Sequence, residues 1–305
     1  SEVSASAFLR TSAVRAGTAG FLSLGIAPSG WIARLADTAA PTPLGAIALG
    51  MGRPAHFAGG TTPCLQAGGL SSFRFEADWH DYNGHARRRK VARDALAIDP
   101  SVGAAGEVRD ALAQAHDLSG QVQTALATHD QYLSSHGLSY PATNIGRRLS
   151  DVGAMTLGGF GTRVFLTATG GFDTHGAQGG TAGTLAGLLG DLDDALDILA
   201  TELVAQGEWG RTVICVHSEF GRRNYENASQ GTDHGGAQAM LLLGGAVSGG
   251  LYGPDLTAAD LASEYVPYGV DFRDVLREIL ADHLVIDPAP IFPEPQPTST
   301  VLGVC

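Results

Sequence analysis

Positive charge is what this chain has least of. A single lysine, Lys90, accompanies eighteen arginines, and these 19 basic residues face 31 acidic ones for a net charge of −12 over 305 residues. With no basic excess to release phosphate counterions, nucleic-acid binding is excluded as the main task. Cysteine is scarce as well. Cys64, Cys215 and Cys305 are odd in number and show no C-x-x-C spacing, which excludes a disulfide framework and leaves only a Cys64–Cys305 pairing open. No apolar run approaches the roughly 18 residues of a membrane span. Walker A, H-E-x-x-H and G-x-S-x-G strings are absent. The run Gly50-Met51-Gly52-Arg53-Pro54-Ala55 matches a dinucleotide fingerprint in form only, because Pro54 and Gly59-Gly60 predict a loop where a helix should open. The chain begins at Ser1 without a leader, which predicts a processed or truncated product with its targeting segment upstream.

Hydrophobic residues at 44% against 16% charged ones supply a core, and 42 glycines predict many tight turns. Residues 1–80 hold short apolar runs, such as Leu44 to Leu49, broken by Gly and Pro. Residues 81–140 differ. Arg87-Arg88-Arg89-Lys90 reads as a solvated helix face, and Val108, Leu112, Ala115, Val122, Leu126 and Leu133 predict one or two helices over residues 104–136, closed by Gly137. Apolar strands then alternate with amphipathic helices. A helix from Ile145 to Leu157 precedes a strand from Arg163 to Thr169. The next helix is striped by Leu185, Leu188, Leu189, Leu192, Leu196, Leu199 and Leu203, with Asp191, Asp193, Asp194 and Asp197 on its outer face. Strands at Arg211–His217 and Met240–Leu243 and a helix at Phe272–His283 follow. This alternation predicts one α/β domain over residues 1–305, a largely parallel sheet flanked by helices, with residues 81–140 as a mostly helical insertion.

Ligands of open parallel sheets bind beyond the carboxyl ends of the strands. There this sequence places Gly170-Gly171-Phe172-Asp173-Thr174-His175, then His217-Ser218-Glu219-Phe220-Gly221-Arg222-Arg223, and before the third strand Gly231-Thr232-Asp233-His234-Gly235. Carboxylate oxygens with imidazole nitrogens suit Zn, Mn or Fe, and carboxylates alone suit Mg or Ca. Taken singly, Asp173 with His175 is equally a capping pair in a tight turn; three such loops at strand ends point to a divalent metal. Arg222 and Arg223 offer forked donors to a phosphate, sulfate or carboxylate, or else pair with Glu226 and the aspartates. His80 and His85, near Asp78 and Asp81, read as a polar loop rather than a second cluster. His56, His116, His129, His136 and His283 stand alone and read as structural or surface residues. Trp79, Tyr82 and Trp209 are the only support for a carbohydrate-binding surface module.

Together, Gly-Gly-Phe-Asp-Thr-His-Gly at 170–176, the Leu/Asp-rich helix, Ser-Glu-Phe-Gly-Arg at 218–222, Thr-Asp-His-Gly at 232–235 and Gly-Gly-Leu-Tyr-Gly at 249–253 resemble the bacterial domain-of-unknown-function 1501 family. The likeness is specific over residues 143–284 and weaker from Ser29-Gly30-Trp31 to Gly50. The resemblance implies an alkaline phosphatase-like fold, export through the twin-arginine route to a periplasmic or extracellular location, and metal-dependent hydrolysis of a small phosphate or sulfate ester. By position it makes Asp173, His175, Asp233 and His234 metal ligands, for Zn, Mn, Mg or Ca. It makes Glu219 a ligand or general base and Arg222 the anion clamp. Phe220 stands where a histidine ligand is expected, which weakens a two-metal site.

Family members begin well upstream of the Ser-Gly-Trp string, with a first strand and nucleophile loop that are not in this chain. The resemblance therefore implies either a separate N-terminal fragment or partner subunit completing the sheet, or Leu44 to Leu49 filling the vacant strand. The rival expectation is a non-catalytic exported scaffold or binding protein that keeps the fold.

Overall fold

The computed structural model describes residues 2–3, 29–52, 54–74, 87, 90, 91, 94, 104–293 and 301–305. Within them the chain is a mixed α/β protein. Strand β1 (Glu2–Val3) is followed by helix α1 (Trp31–Ala39), then by strands β2 (Ala46–Leu49) and β3 (Leu65–Ala67). Helices α2 (Ala104–His136) and α3 (Asn144–Leu157) lead to β4 (Val164–Thr167) and β5 (Thr169–Gly170). Helix α4 (Thr184–Ala205) precedes strands β6 (Ile214–Val216), β7 (Gly221–Arg222), β8 (His234–Gly235) and β9 (Leu241–Leu243), and helices α5 (Ala258–Ala262) and α6 (Phe272–Glu278) close the order.

The centre is a three-stranded parallel sheet in the order β3-β2-β4. Strand β2 is only Ala-Ile-Ala-Leu, yet all four residues are fully buried. Period-two geometry sends Ile47 and Leu49 to one face and Ala46 and Ala48 to the other. The first pair packs with Val122 of α2, Leu149 and Met155 of α3 and Leu199 and Leu203 of α4. The second packs with Ile32 and Leu35 of α1 and with Leu276 of α6. A sheet covered on both faces needs an apolar strand without alternation at its centre, and β2 meets that need.

The helices form where their leucine and valine spacing predicts them, and residues 104–136 make one continuous helix rather than two. Thr143 caps α3 by accepting from the Gly146 amide. Strand pairing departs from the expected parallel arrangement beyond β4. Strands β6 and β9 pair antiparallel, as do β7 with β8 and β1 with β5. A parallel return from β6 to β9 needs a crossover long enough to span the sheet, usually a helix; the intervening residues fold instead as a loop with the short β7–β8 hairpin.

Cys64, Cys215 and Cys305 are all free thiols. Among the described residues no helix is long and apolar enough to cross a membrane. His80, His85, Trp79 and Tyr82 lie outside the described residues, as does most of 81–103.

Candidate metal centre

Two loops build the site. The first leaves β5 through Gly171 and carries Asp173, Thr174 and His175. The second runs from Asn227 into the β7–β8 hairpin, whose register sets Arg222 opposite His234. Backbone bonds zip the loops together: Thr232 donates to Thr174 O at 3.2 Å, Ala177 to Ser229 O at 2.9 Å and Gln178 to Gln230 O at 2.8 Å. The approach is close enough that a Cβ on Gly231 would stand 2.3 Å from the His175 carbonyl carbon, so only glycine fits there.

Asn227 organises the second loop. Its Oδ1 accepts from the amides of Ser229 and Gly231, and its Nδ2 donates to His175 O at 2.9 Å and to Asp233 Oδ1 at 3.0 Å. Sequence reading passed over this residue. Its only signal is an asparagine in a Ser/Gly-rich loop, the setting in which Asn side chains hold turns.

Asp173, His175 and His234 converge on one exposed point. Asp173 Oδ1 lies 2.9 Å from His234 Nε2 and 3.1 Å from His175 Nε2, and the two imidazole nitrogens are 3.1 Å apart. Ligands about 2.0–2.1 Å from a tetrahedral ion stand about 3.3 Å from one another, so this triangle has the dimensions of three corners around a single ion. Two imidazole nitrogens facing at that separation cannot both carry protons. Either one N–H donates to the other's lone pair or a cation takes both, and all three residues are exposed.

Asp233 takes a different place from the one expected. It bonds the far nitrogen of His175, Nδ1, at 3.3 Å and stands outside the convergent group. That contact holds the proton on Nδ1 and leaves the Nε2 lone pair aimed at the triangle, the carboxylate–histidine arrangement that orients metal ligands. Hydrogen bonds from Asn227 and His175 keep the Asp233 carboxyl below the usual range. For Asp173, burial pushes upward, but the His234 hydrogen bond and the charges of His175, His234 and Arg222 outweigh it and lower the carboxyl. Both are therefore ionised at neutral pH.

Arg222 is committed within the site. Its guanidinium donates to Phe172 O at 2.6 Å, to Thr232 O and to Asp173 Oδ1 at 2.9 Å, and it lies over the Phe220 ring. The expected anion clamp is thus a brace for Asp173, because its fork is filled by two carbonyls and a ligand carboxylate. Phe220 stacks on the His234 ring with centroids 3.5 Å apart. Glu219 is half-buried in the turn before Phe220 and outside the convergent triad. His217, at the end of β6, is buried, and burial lowers its pKa to about 4, so it is neutral at physiological pH.

Fold and site together define a mixed α/β protein with an open cluster of two histidines and one carboxylate suited to a single divalent ion. A family described as a protein of unknown function, DUF1501, matches the chain over residues 71–299, three quarters of its length. The chain belongs to that family. No match was found among curated proteins or among solved structures.

Proposed function

We propose that the chain is a metal-dependent hydrolase of the alkaline phosphatase and sulfatase kind, exported from the cytoplasm and acting on a small phosphate or sulfate ester. The observation that carries this reading is the convergence of Asp173 Oδ1, His175 Nε2 and His234 Nε2 at 2.9–3.1 Å with an open side toward solvent. An alkaline phosphatase-like fold belongs to the same proposal, supported by a parallel sheet with helices on both faces and by the Asp173–His175 loop that follows its strand β4. A divalent ion in such a site lowers the pKa of bound water and polarises an ester oxygen. Asp173, His175 and His234 hold it. Asp233 sets the tautomer of His175, and Arg222 and Phe220 fix Asp173 and the His234 ring. Glu219 is assigned as a further ligand or the general base on its place one residue before Phe220, which stacks on His234. A partner subunit or separate fragment beside β3 or β4, the outer strands of the sheet among the described residues, belongs to the same proposal.

One observation favours the rival, a metal-bearing scaffold. The hydroxyls beside the triad are occupied, Thr174 donating to Gln178 Oε1 at 2.9 Å and Ser218 to Phe220 O, so neither is poised as a nucleophile. Metal analysis of the purified chain, joined to assays with aryl phosphate and aryl sulfate esters, separates the two. The hydrolase carries close to one divalent ion per chain and cleaves one ester class, and Asp173→Ala/His234→Ala loses both. Metal without turnover of either ester selects the scaffold. A metal-free native protein refutes both.

A further inference from the structure

Beside the triad, and sharing Thr232 with its second loop, lies a cleft of about 330 Å³ lined by Gln178, Arg223, Tyr225, Glu226 and Gln230. It is of the size of the smallest ligand pockets, about 300 Å³, with room for one ring. A larger cleft of about 1150 Å³ between α2 and the turn at 157–160 contains no residue of the metal centre.

The polar groups of the small cleft are sorted in an unusual way. Gln178 Oε1 accepts from both the Thr174 and Thr232 hydroxyls at 2.9 Å, which fixes its orientation and leaves the two N–H groups of Nε2 unused among the described residues. Arg223 donates to the hydroxyls of Tyr225 and Tyr265, each at 2.7 Å. Each phenol is therefore an acceptor toward arginine and keeps its own proton for a further partner, and both tyrosines are close to half exposed. Glu226 is exposed and forms no ion pair among the described residues. Gln230 adds an exposed amide with both a donor and an acceptor end.

Charge decides what this set recognises. Arg223 is already neutralised by Glu264 at 3.0 Å, with Asp233 a further 4.0 Å neighbour, and Glu226 brings a negative charge of its own. Among the described residues the cleft has no cation besides Arg223, which is already ion-paired and keeps only its Nε–H without a hydrogen-bond partner, so a second phosphate or sulfate is the wrong ligand. An apolar group is also wrong, because it would bury Gln178 and Glu226 without partners. Neighbouring hydroxyl groups both donate and accept, and they satisfy amide, phenol and carboxylate together, while the exposed Tyr225 ring offers a face to C–H groups.

Resting on the hydrolase reading above, we infer that this cleft holds the alcohol half of the ester and that this alcohol is one ring of a carbohydrate. The substrate class is then a phosphate or sulfate ester of a sugar, with the ester at the triad and the ring against Gln178, Tyr225 and Glu226.

Saturation-transfer NMR with the full chain tests the cleft apart from catalysis. The probes are glucose, galactose, mannose, lactose and, as a different planar ligand, adenosine, all measured after chelation of metal. At least one neutral sugar gives signal without metal, and its Kd rises about tenfold in Glu226→Ala and in Gln178→Ala, the loss of one good hydrogen bond to a charged or fixed polar group. Glu226→Ala removes no contact among the described residues, so it reports on binding even where Gln178→Ala disturbs the Thr174–Thr232 bridge. No signal from any sugar, sugar binding indifferent to Glu226→Ala, or binding of adenosine alone overturns the inference. Sugar binding without ester hydrolysis would retain the cleft and reject only the hydrolase.

Discussion

Among the described residues, two histidine–carboxylate clusters can be set side by side, one buried and one exposed. His129 of α2 and Glu202 of α4 meet inside the helical layer, 1% and 0% exposed, with His129 Nε2 3.0 Å from both carboxylate oxygens. Nothing else has room to enter: a Cβ on Gly153 of α3 would stand 2.2 Å from Glu202 Oε2 and 2.9 Å from His129 Nε2. Both oxygens of that carboxylate are turned inward to His129, and the Tyr140 phenol beside it is pushed up by burial and by the Glu202 charge. At the candidate metal site the same residue types are exposed, and three side-chain atoms that could hold an ion converge on one point. Reactivity here depends on convergence and access. Histidine beside a carboxylate is common to both places.

The sharpest way to break this comparison is to empty the buried pair. Glu202→Ala leaves the His129 imidazole buried without its acceptor and a void where three helices meet, and we expect a loss of about 3 kcal/mol or more in urea unfolding with metal content unchanged. An unaltered unfolding midpoint would show that the pair is not what holds α2 onto α4. Asp233→Ala should act in the opposite sense, on the ion and not on the fold. Freed from its Nδ1 partner, His175 should bind metal about 10–100-fold more weakly in chelator competition, the usual cost of losing an orienting partner. Equal affinity in the two proteins would reduce Asp233 to loop packing.

The smallest effect belongs to a third carboxylate, Asp37 on α1. Amides of Thr61 and Thr62 donate to it, the Thr61 bond contributing most, and they lower its pKa to about 2 against 3.8. A depressed carboxyl stabilises the fold above its unfolded value, so its share is complete above about pH 4 and is lost as pH falls through about 2. Because Asp37 is exposed, solvent screening keeps that share below about 1 kcal/mol. Asp37→Asn should flatten the acid limb of the stability curve between pH 4 and pH 2; an identical limb in both proteins would count against it.

Much of the fold was readable because its signals are local. The leucine stripe of α4, the helical spacing of α2 and the alternation after residue 143 are properties of neighbouring residues, and all became the expected helices and strands. Strand β2 was harder. Four small or branched residues between Pro43 and Gly50 carry no period long enough to identify a strand, and only burial on two faces makes them the centre of the sheet. The site was legible as a set of loops and not as a geometry. Asp173, His175 and His234 come together as their positions suggested, but Asp233 and Arg222, equally well placed in sequence, stand outside that group and bond to His175 and Asp173.

By itself, then, the sequence determined an acidic α/β chain of the DUF1501 family with its Asp and His residues on loops at strand ends. Periodicity, charge and motif order are written along the chain and need no third dimension. Tertiary structure alone decided that β6 and β9 run antiparallel, that His129 and Glu202 share a buried pair, and which carboxylate joins the two histidines of the candidate site. The β7–β8 register and the close approach at Gly231 bring residues 49 to 59 positions apart within hydrogen-bond distance. A one-residue slip would turn His234 to the opposite face of that hairpin.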